Sequence, residues 1–569
     1  MPVTPLCAPA PAWQRDDALP LLAAFALLLP MVLLMPALPI DETRYLAVAW
    51  EMRQSGDFLV PHLNGATYAH KPPLLFWLIN AGWLVTGVQA WTARAMTLAC
   101  SLASLALMHR LAWRLSGSVA VARLATWLLA GTLYFGLFAN AIMFDVPLAT
   151  CVLLALLGVC DLVAGRMRRG VLVTGAAIGL GILVKGPVML LDIACVALLA
   201  PWWSLGRLDG RRAAYFGALG VALLLGAAIA LAWAIPAALH GGEDYARAIF
   251  LKQTLDRIQG VKGTSAHGRP WWWYLAVFPL MVLPWPLVVR GGIGALRARL
   301  RELQLDVLDW RWPAALCGRA SAAWRCGIAW LVPTFVVFSL VSGKQPHYLL
   351  PLIPALALLI ALGLESAQLR LRGGLFGAVL VLLGLGVASL RLWPLGRTAQ
   401  AYADLIAPWW GLAVIVLGGV LLGWRRRLPL ALPVVVTLAL ALVIKLVIVQ
   451  GPGARYDITP MAQRIADLQA QGHPVANLGW HHGVYEFAAR LHEPVPAFDT
   501  VADFAVWAQQ HPDAYVATFY RQFRFRAKPV FTQPFRGGEV SLWKAGDALA
   551  SGIDPSLSHA ADEADAGED

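Results

Sequence analysis

Asp41-Glu42-Thr43-Arg44-Tyr45 stands directly after a long apolar run, so two carboxylates, a guanidinium and a phenol meet the edge of a hydrophobic segment. Pro39 precedes the group and Asp57 follows it. Next comes Asn64-Gly65-Ala66-Thr67-Tyr68-Ala69-His70-Lys71-Pro72-Pro73. Carboxylates at such a boundary most simply face water or cap the next helix. Set among further charges and turn formers, they also suit proton transfer or the holding of a cation, and ionisable groups at membrane depth are candidates for function. The Leu74–Trp83 stretch is amphipathic and reads as a helix lying along an interface.

The elements that must position these groups are membrane spans. The chain of 569 residues is 59% hydrophobic and 14% charged, with mean hydropathy +0.64. A soluble fold cannot hide that much apolar surface, whereas lipid can. The net charge of +12 does not point to nucleic acid, because the arginines punctuate apolar segments and form no basic stripe. Met1–Pro20 lacks a Lys/Arg-rich start, so no cleavable signal peptide is expected. The seven cysteines lie mostly in apolar segments, none after Cys326, which argues against a disulfide framework.

Runs of about 20 apolar residues predict about thirteen spans. They fall near Ala18–Ile40, Trp91–Arg110, Ala120–Phe138, Val146–Ala164, Val171–Val184, Val188–Trp203, Ala213–Leu239, Trp271–Val289, Ile328–Val341, Tyr348–Leu364, Leu375–Leu390, Ile406–Trp424 and Leu428–Val449. With residues 1–17 in the cytoplasm, every inside loop is basic. These loops carry Arg110/Arg114/Arg123, Arg166/Arg168/Arg169, Arg207/Arg211/Arg212, the Arg290–Arg325 stretch, Arg370/Arg372 and Arg425/Arg426/Arg427. The fold class is therefore an all-α polytopic membrane core over 18–450, with large outer loops at 41–90 and 240–270.

The apolar density is lost after Gly451, and residues 451–550 read as a small outer α/β domain. Its expected elements are a polar helix at Pro460–Gln471, strands at Val475–Leu478 and Ala514–Phe519, a helix near Tyr485–Leu491, and a hairpin pairing Pro529–Phe531 with Glu539–Trp543. The acidic tail 551–569 is expected to be disordered.

Further pieces fall in order along the core: Ser55-Gly56-Asp57, Leu63-Asn64-Gly65, Lys71-Pro72-Pro73-Leu74-Leu75, Phe144-Asp145, Val184-Lys185-Gly186-Pro187, Asp256-Arg257-Ile258 and Lys344-Gln345-Pro346-His347-Tyr348-Leu349-Leu350-Pro351. Together with Asp-Glu-Thr-Arg-Tyr, this series resembles the bacterial lipid A aminoarabinose transferases, GT-C glycosyltransferases related to protein O-mannosyltransferases. The resemblance covers roughly Pro20 to Pro354. It implies a polyprenyl-phosphate sugar donor, usually undecaprenyl phosphate, and a lipid or glycan acceptor at the outer face of the bacterial inner membrane.

The chemistry so implied can be set against the residues. The leaving phosphate gains negative charge as its bond to the sugar breaks, so cations should be preorganised around it. Lys71, Lys185 and Arg257 all fall on the outer side, Tyr348 adds a hydroxyl, and Arg44 is a further cation. Asp41 is the first choice for base or stabiliser of a positive sugar, and Asp145 for orienting the sugar or a partner cation. Glu42 shares either role. A phosphate acceptor would already be ionised and need no base.

Plainer readings exist for each. Lys185 beside Gly186-Pro187 would snorkel at a helix break, Asp145 would pair with Arg44 or cap its span, and Arg257 would be a solvated loop residue. Lys445 reads as snorkelling, and Trp271-Trp272-Trp273-Tyr274 as an interfacial aromatic belt. Family members usually carry Glu before the Lys-Pro-Pro and a Glu-His pair upstream of the loop arginine; this chain has His70 and Gln253-Thr254. No cofactor is therefore assigned, and His70, with Asp41 and His267, is left as a weak candidate for a divalent metal.

The function expected is transfer of a sugar from the lipid carrier to lipid A or another envelope acceptor in lipopolysaccharide-type modification, by a monomer with no nucleotide site. The alternatives are a lipid-linked sugar flippase and a protein O-mannosyltransferase-like enzyme. A flippase would place its charges and broken helices nearer mid-membrane than this chain does.

Overall fold

The computed structural model describes residues 13–252, 268–291, 294, 321–366, 369–424, 428–519 and 523–554. Arg257 and its neighbours, His267, most of the Arg290–Arg325 stretch, Arg425–Arg427, the first twelve residues and the tail from 555 lie outside the described residues.

Among the described residues, nine helices are long and apolar enough to cross a membrane. The other expected spans fall on shorter or broken helices: Val119–Ala130 with Leu133–Phe138, Val188–Leu198 with Ala200–Trp203, Trp273–Met281 with Trp285–Val288, and Trp409–Gly423. Proline or glycine sits at most of the breaks, where the backbone loses a donor or gains conformational freedom. The stretch expected to lie along the interface forms the helix Leu74–Thr86, with Leu84 and Val85 exposed at its end. Of the aromatic cluster, Trp271 and Trp272 are exposed, whereas Tyr274 is buried and donates its hydroxyl to Gln345 O at 3.0 Å.

The Asp145–Val163 helix runs through the middle of the bundle and is nearly all buried. It carries an acid near each end, and sixteen residues of rise separate them by about 24 Å. Asp161 collects Arg114, Arg166 at 2.5 Å and Arg169 at 3.2 Å. This bonding explains the concentration of arginine in those loops: a buried carboxylate is tolerated in lipid only when its charge is matched.

At the other end, a buried network fixes where the Asp41–Ser55 helix begins. Arg94 donates from Nη1 and Nη2 to the two oxygens of Glu42 at 2.9 and 2.6 Å, and from Nη2 to Pro36 O at 2.5 Å. Glu42 also accepts from Leu38 N at 2.8 Å and Ile142 N at 2.9 Å. Lys445 is not snorkelling: it is buried and donates to Asn140 Oδ1, whose amide donates to Leu28 O at 3.2 Å. The same network thus joins the first helix, the Ala90–Ser116 helix, the approach to Asp145 and the last membrane helix.

The C-terminal part is a five-stranded sheet in the order 497–498, 475–478, 515–519, 538–544, 531–535. The first three strands are parallel and the last two join as an antiparallel hairpin. The expected polar helix is Thr459–Ala470, and the helix near Tyr485 shrinks to Glu486–Ala489. The strand Ala497–Phe498 and the helix Val501–Gln510 escaped the sequence reading.

This sheet unit is docked on the first outer loop. Trp50 Nε1 donates to Leu491 O at 2.9 Å, Gln54 Nε2 to His492 O at 2.8 Å, and Asn64 exchanges two 2.7 Å hydrogen bonds with the Val495 backbone. Asn64 and Gly65 both take left-handed backbone, as the two-residue turn between His62–Leu63 and Ala66–Thr67 requires. Glu51 accepts from the backbone of both turn residues. Behind it lies Glu486, buried at 2% exposure, with neither oxygen bonded in ordinary geometry. Burial pushes the Glu486 carboxyl up to about 7, against a partial pull from its own and Tyr485's N–H groups.

Two predictions follow from these buried charges. Arg94→Ala leaves Glu42 unpaired and should destabilise the protein by about 3–5 kcal/mol, whereas Arg94→Met with Glu42→Leu should recover much of that loss; thermal unfolding in detergent measures both. The second concerns Glu486, whose proton is held in the folded state between its ordinary 4.5 and about 7. The contribution of Glu486 to stability should therefore fall as pH rises through that window and level off above it, by about 3 kcal/mol at full effect, while His481 and His482, both held down at about 4, contribute in the opposite direction below 6.5. Glu486→Gln should remove this component from the difference in Tm between pH 5 and pH 8.

Candidate functional site

Asp41 opens its helix as the first residue after the network just described, and its side chain is 41% exposed. Arg44, one turn on, is ion-paired to Asp41 Oδ1, and the Tyr45 hydroxyl donates to the same oxygen at 3.0 Å. Burial and the adjacent Asp41 charge push the Tyr45 phenol well above its ordinary value, so it remains a donor. The neighbouring carboxylate differs completely. Glu42 points the other way, its oxygens occupied by Arg94 and backbone N–H groups.

A second group lies deeper. Lys185 ends the Met167–Lys185 helix, and its ammonium reaches Asp145 Oδ1 at 2.5 Å. The same Nζ sits 4.5 Å from the Tyr348 ring centroid. Tyr348 belongs to the tight 3-10 turn Pro346–Leu352, which sets it beside His347, ring centroids 4.9 Å apart. Lys71 Nζ lies 5.6 Å from the ring centroid of Phe144, the residue preceding Asp145. Lys185, His347 and Lys71 all act electrostatically on Asp145. Lys344, in the same motif, instead bonds the backbone carbonyls of Arg269 and Val341.

Rings join the two groups. Tyr45 meets Phe144 edge-on at 4.9 Å, and Phe76 lies 5.6 Å from Phe144 and 6.3 Å from both Tyr45 and Tyr68. The field of Asp41 reaches His347 across this floor. Asp41, Arg44, Lys71, Asp145, Lys185 and Tyr348 thus gather at one end of the bundle, opposite the arginines around Asp161. Aromatic faces favour cations, so the floor suits ammonium and guanidinium groups.

His70 is exposed, 5.3 Å from the Tyr68 ring. Among the described residues, no group of three or more His, Cys, Asp and Glu is arranged to hold a metal ion.

Three groups escaped the sequence reading. His347 was visible only as part of a motif. Asp192, buried in the Val188–Leu198 helix with neither oxygen hydrogen-bonded, acts with Lys185 and Asp145; an acid inside an apolar run was the available signal. His482, from the C-terminal sheet unit, gave no local signal. Its ring is acted on by Arg44 and Arg536, and by Asp41 in the opposite sense. Burial first, and these cations second, hold its imidazole down at about 4, so it is neutral near pH 7.

Residues 70–235 match the family described as dolichyl-phosphate-mannose-protein mannosyltransferase. An undecaprenyl phosphate-alpha-4-amino-4-deoxy-L-arabinose arabinosyl transferase of Edwardsiella ictaluri is 30% identical over 371 residues, 63% of this chain and 62% of that protein. The protein of the same name from Pseudomonas aeruginosa strain LESB58 is 32% identical over 376 residues, 65% of this chain and 62% of its own length. The matched region thus spans about 62% of the length of these relatives. The crystal structure of ArnT from Cupriavidus metallidurans bound to undecaprenyl phosphate superposes with TM-score 0.67 at 19% identity, covering 93% of this chain and 97% of that one. The chain resembles the undecaprenyl-phosphate aminoarabinose arabinosyl transferases in sequence and has the GT-C fold of ArnT.

Proposed function

We propose that this chain is a glycosyltransferase that moves a sugar from an undecaprenyl-phosphate-type carrier to lipid A or another envelope acceptor, at the periplasmic face of the inner membrane. Residues 18–450 form its membrane core and 451–550 a periplasmic α/β domain. The observation that carries the reading is the meeting of Lys71, Lys185 and Tyr348 around Asp145, one aromatic layer beneath the open Asp41–Arg44 pair. The names of the relatives agree with it.

In this reading the carrier's phosphate sits by Lys71 and Lys185, with the Tyr348 hydroxyl as a donor. Arg257, which lies outside the described residues, is proposed as a further cation for that phosphate. The bond between the anomeric carbon and the phosphate oxygen breaks, and the carrier phosphate leaves with the electron pair. Cations already in place stabilise that growing charge without reorganising. Asp145 holds Lys185 in position while the sugar binds, a role that needs its burial. The acceptor oxygen forms the new bond from the open side. Asp41 takes the proton of a hydroxyl acceptor, or stabilises the positive sugar when the acceptor is an ionised phosphate. Glu42 serves by fixing the start of the Asp41 helix, since its oxygens have no capacity left for substrate.

Purified full-length protein in lipid nanodiscs, supplied with an undecaprenyl-phosphate-linked sugar and lipid A, tests the assignment by mass spectrometry of the lipid product. Lys71→Ala and Lys185→Ala should each lower transfer about 10²–10³-fold, as removal of a charge-stabilising donor does. Asp41→Asn should lower it by about 10²-fold or more if a hydroxyl is the acceptor. Undiminished transfer in both Asp41→Asn and Lys71→Ala would sink the mechanism.

A further inference from the structure

A cavity of about 360 Å³ opens between the end of the Asp41–Ser55 helix and the Leu74–Thr86 helix, lined by Arg53, Phe58, Trp77, Asn80, Ala81 and Leu84. The chemistry above does not use it. Along the helix, the rise from Asp41 to Arg53 is about 18 Å. Trp50 and Gln54 turn to the C-terminal unit. Arg53 points about 100° away from Gln54, into the cavity instead. Trp77 Nε1 fixes the lip by donating to Phe58 O at 2.8 Å.

Two polar groups in this otherwise apolar hollow lack partners. Asn80 is 4% exposed, and its amide nitrogen donates to Ala49 O and Phe76 O, both at 3.0 Å, while its Oδ1 accepts nothing. A buried acceptor left without a donor costs about 1–3 kcal/mol, so a ligand that brings an O–H or N–H is favoured there. Arg53 makes no hydrogen bond or ion pair among the described residues. The acids near it in sequence are engaged elsewhere. Glu51 accepts from the Asn64 and Gly65 N–H groups, and Asp57 accepts from Leu59 and Val60 N–H with His240 at 3.4 Å. The hollow therefore carries net positive charge.

Its depth follows from the Arg212–Arg247 helix. That helix starts beside Arg211, whose guanidinium lies against Gly165, close to the Asp161 anchor. Trp233, further along it, donates Nε1 to Leu59 O at 2.9 Å. From Arg212 to Trp233 the rise is about 31 Å, the thickness of a bilayer's hydrocarbon core. The hollow thus lies where acyl chains give way to headgroups, with Phe58, Leu84 and Val85 exposed around it.

We infer that this hollow binds an anionic glycerophospholipid with a hydroxyl-bearing headgroup, of the phosphatidylglycerol kind. Its phosphate takes the Arg53 guanidinium, a headgroup hydroxyl donates to Asn80 Oδ1, and an acyl chain lies over Phe58, Trp77 and Leu84. An ammonium headgroup fits less well, because it meets Arg53 with no carboxylate left to pair with. Such a lipid is bound whatever the reaction at Asp41.

The test uses the full-length chain in phosphatidylcholine nanodiscs doped with a phosphatidylglycerol that carries a diazirine in one acyl chain. After illumination, cross-linked peptides are mapped by mass spectrometry, and label is expected on the Phe58 and Leu84 segments. Unlabelled dioleoyl-phosphatidylglycerol should displace it at about one tenth of the concentration that dioleoyl-phosphatidylethanolamine needs, as a charge-assisted contact confers. Dioleoyl-phosphatidylmethanol, which keeps the charge and lacks the hydroxyl, should fall between them. Arg53→Gln should bring the first two competitors level. Ala81→Trp, which fills the hollow from an exposed helical position, should abolish the label. Labelling of the Gly374–Ser389 helix, where Leu382, Leu383 and Leu385 are exposed, should be the same in both variants and reports that they are folded. Label that phosphatidylethanolamine displaces as readily as phosphatidylglycerol, or that survives both substitutions, marks a general annular contact and overturns the site. Equal displacement by phosphatidylmethanol and phosphatidylglycerol overturns the hydroxyl contact at Asn80.

Discussion

Charge cannot be left unmatched inside a bundle that faces lipid, and the Glu42–Arg94 pair shows how much structure that constraint organises. Its two parallel hydrogen bonds lie at 2% and 7% side-chain exposure. Attraction at that depth is strong, but so is the desolvation it must offset, and the pair persists because backbone groups of Pro36, Leu38 and Ile142 complete its bonding. The consequence is positional. Glu42 cannot move, so the helix it belongs to starts at a fixed point, and Asp41, its first residue, keeps a side chain that is 41% exposed.

The same accounting explains the division of labour between the two ends of the molecule. Asp161 is matched by three arginines, an arrangement that suits it to anchoring. Among the described residues Asp145 is matched by one lysine, which also lies on the Tyr348 ring and within reach of a second cation through Phe144. A carboxylate with a single short-range partner leaves part of the surrounding positive field for an anion. This asymmetry is what marks Asp145, and not Asp161, as the candidate site acid on the helix.

The spans were legible because each is a long apolar run, and most of the ones that break do so at glycine or proline, which the sequence also displays. The strands at Val475–Leu478 and Tyr515–Phe519 were legible from short apolar runs bounded by turn residues. The opposed fates of Asp41 and Glu42 were not. Adjacent helical residues point about 100° apart, and which direction is open depends on Arg94, 52 residues away. Lys445 read as snorkelling because its partner, Asn140, lies 305 residues earlier. The docking of the C-terminal unit is carried by bonds such as Trp50 to Leu491 O, across 441 residues, and no local pattern announces these.

The Asp145–Val163 helix also acts as a ruler. Its acid at one end pairs with Lys185 in the candidate site, and its acid at the other is gripped by arginines that favour lipid headgroups and water. Because a helix is stiff along its axis, the distance between the site and the arginine anchor is constant while the bilayer around it is not. In a membrane of longer acyl chains the bundle must tilt or draw lipid inward to keep both ends wet, and the mouth at Asp41 would sink relative to the headgroups. On the transferase reading proposed above, access of a lipid-borne substrate to Asp41 would therefore be tied to the thickness of the membrane in which the protein resides.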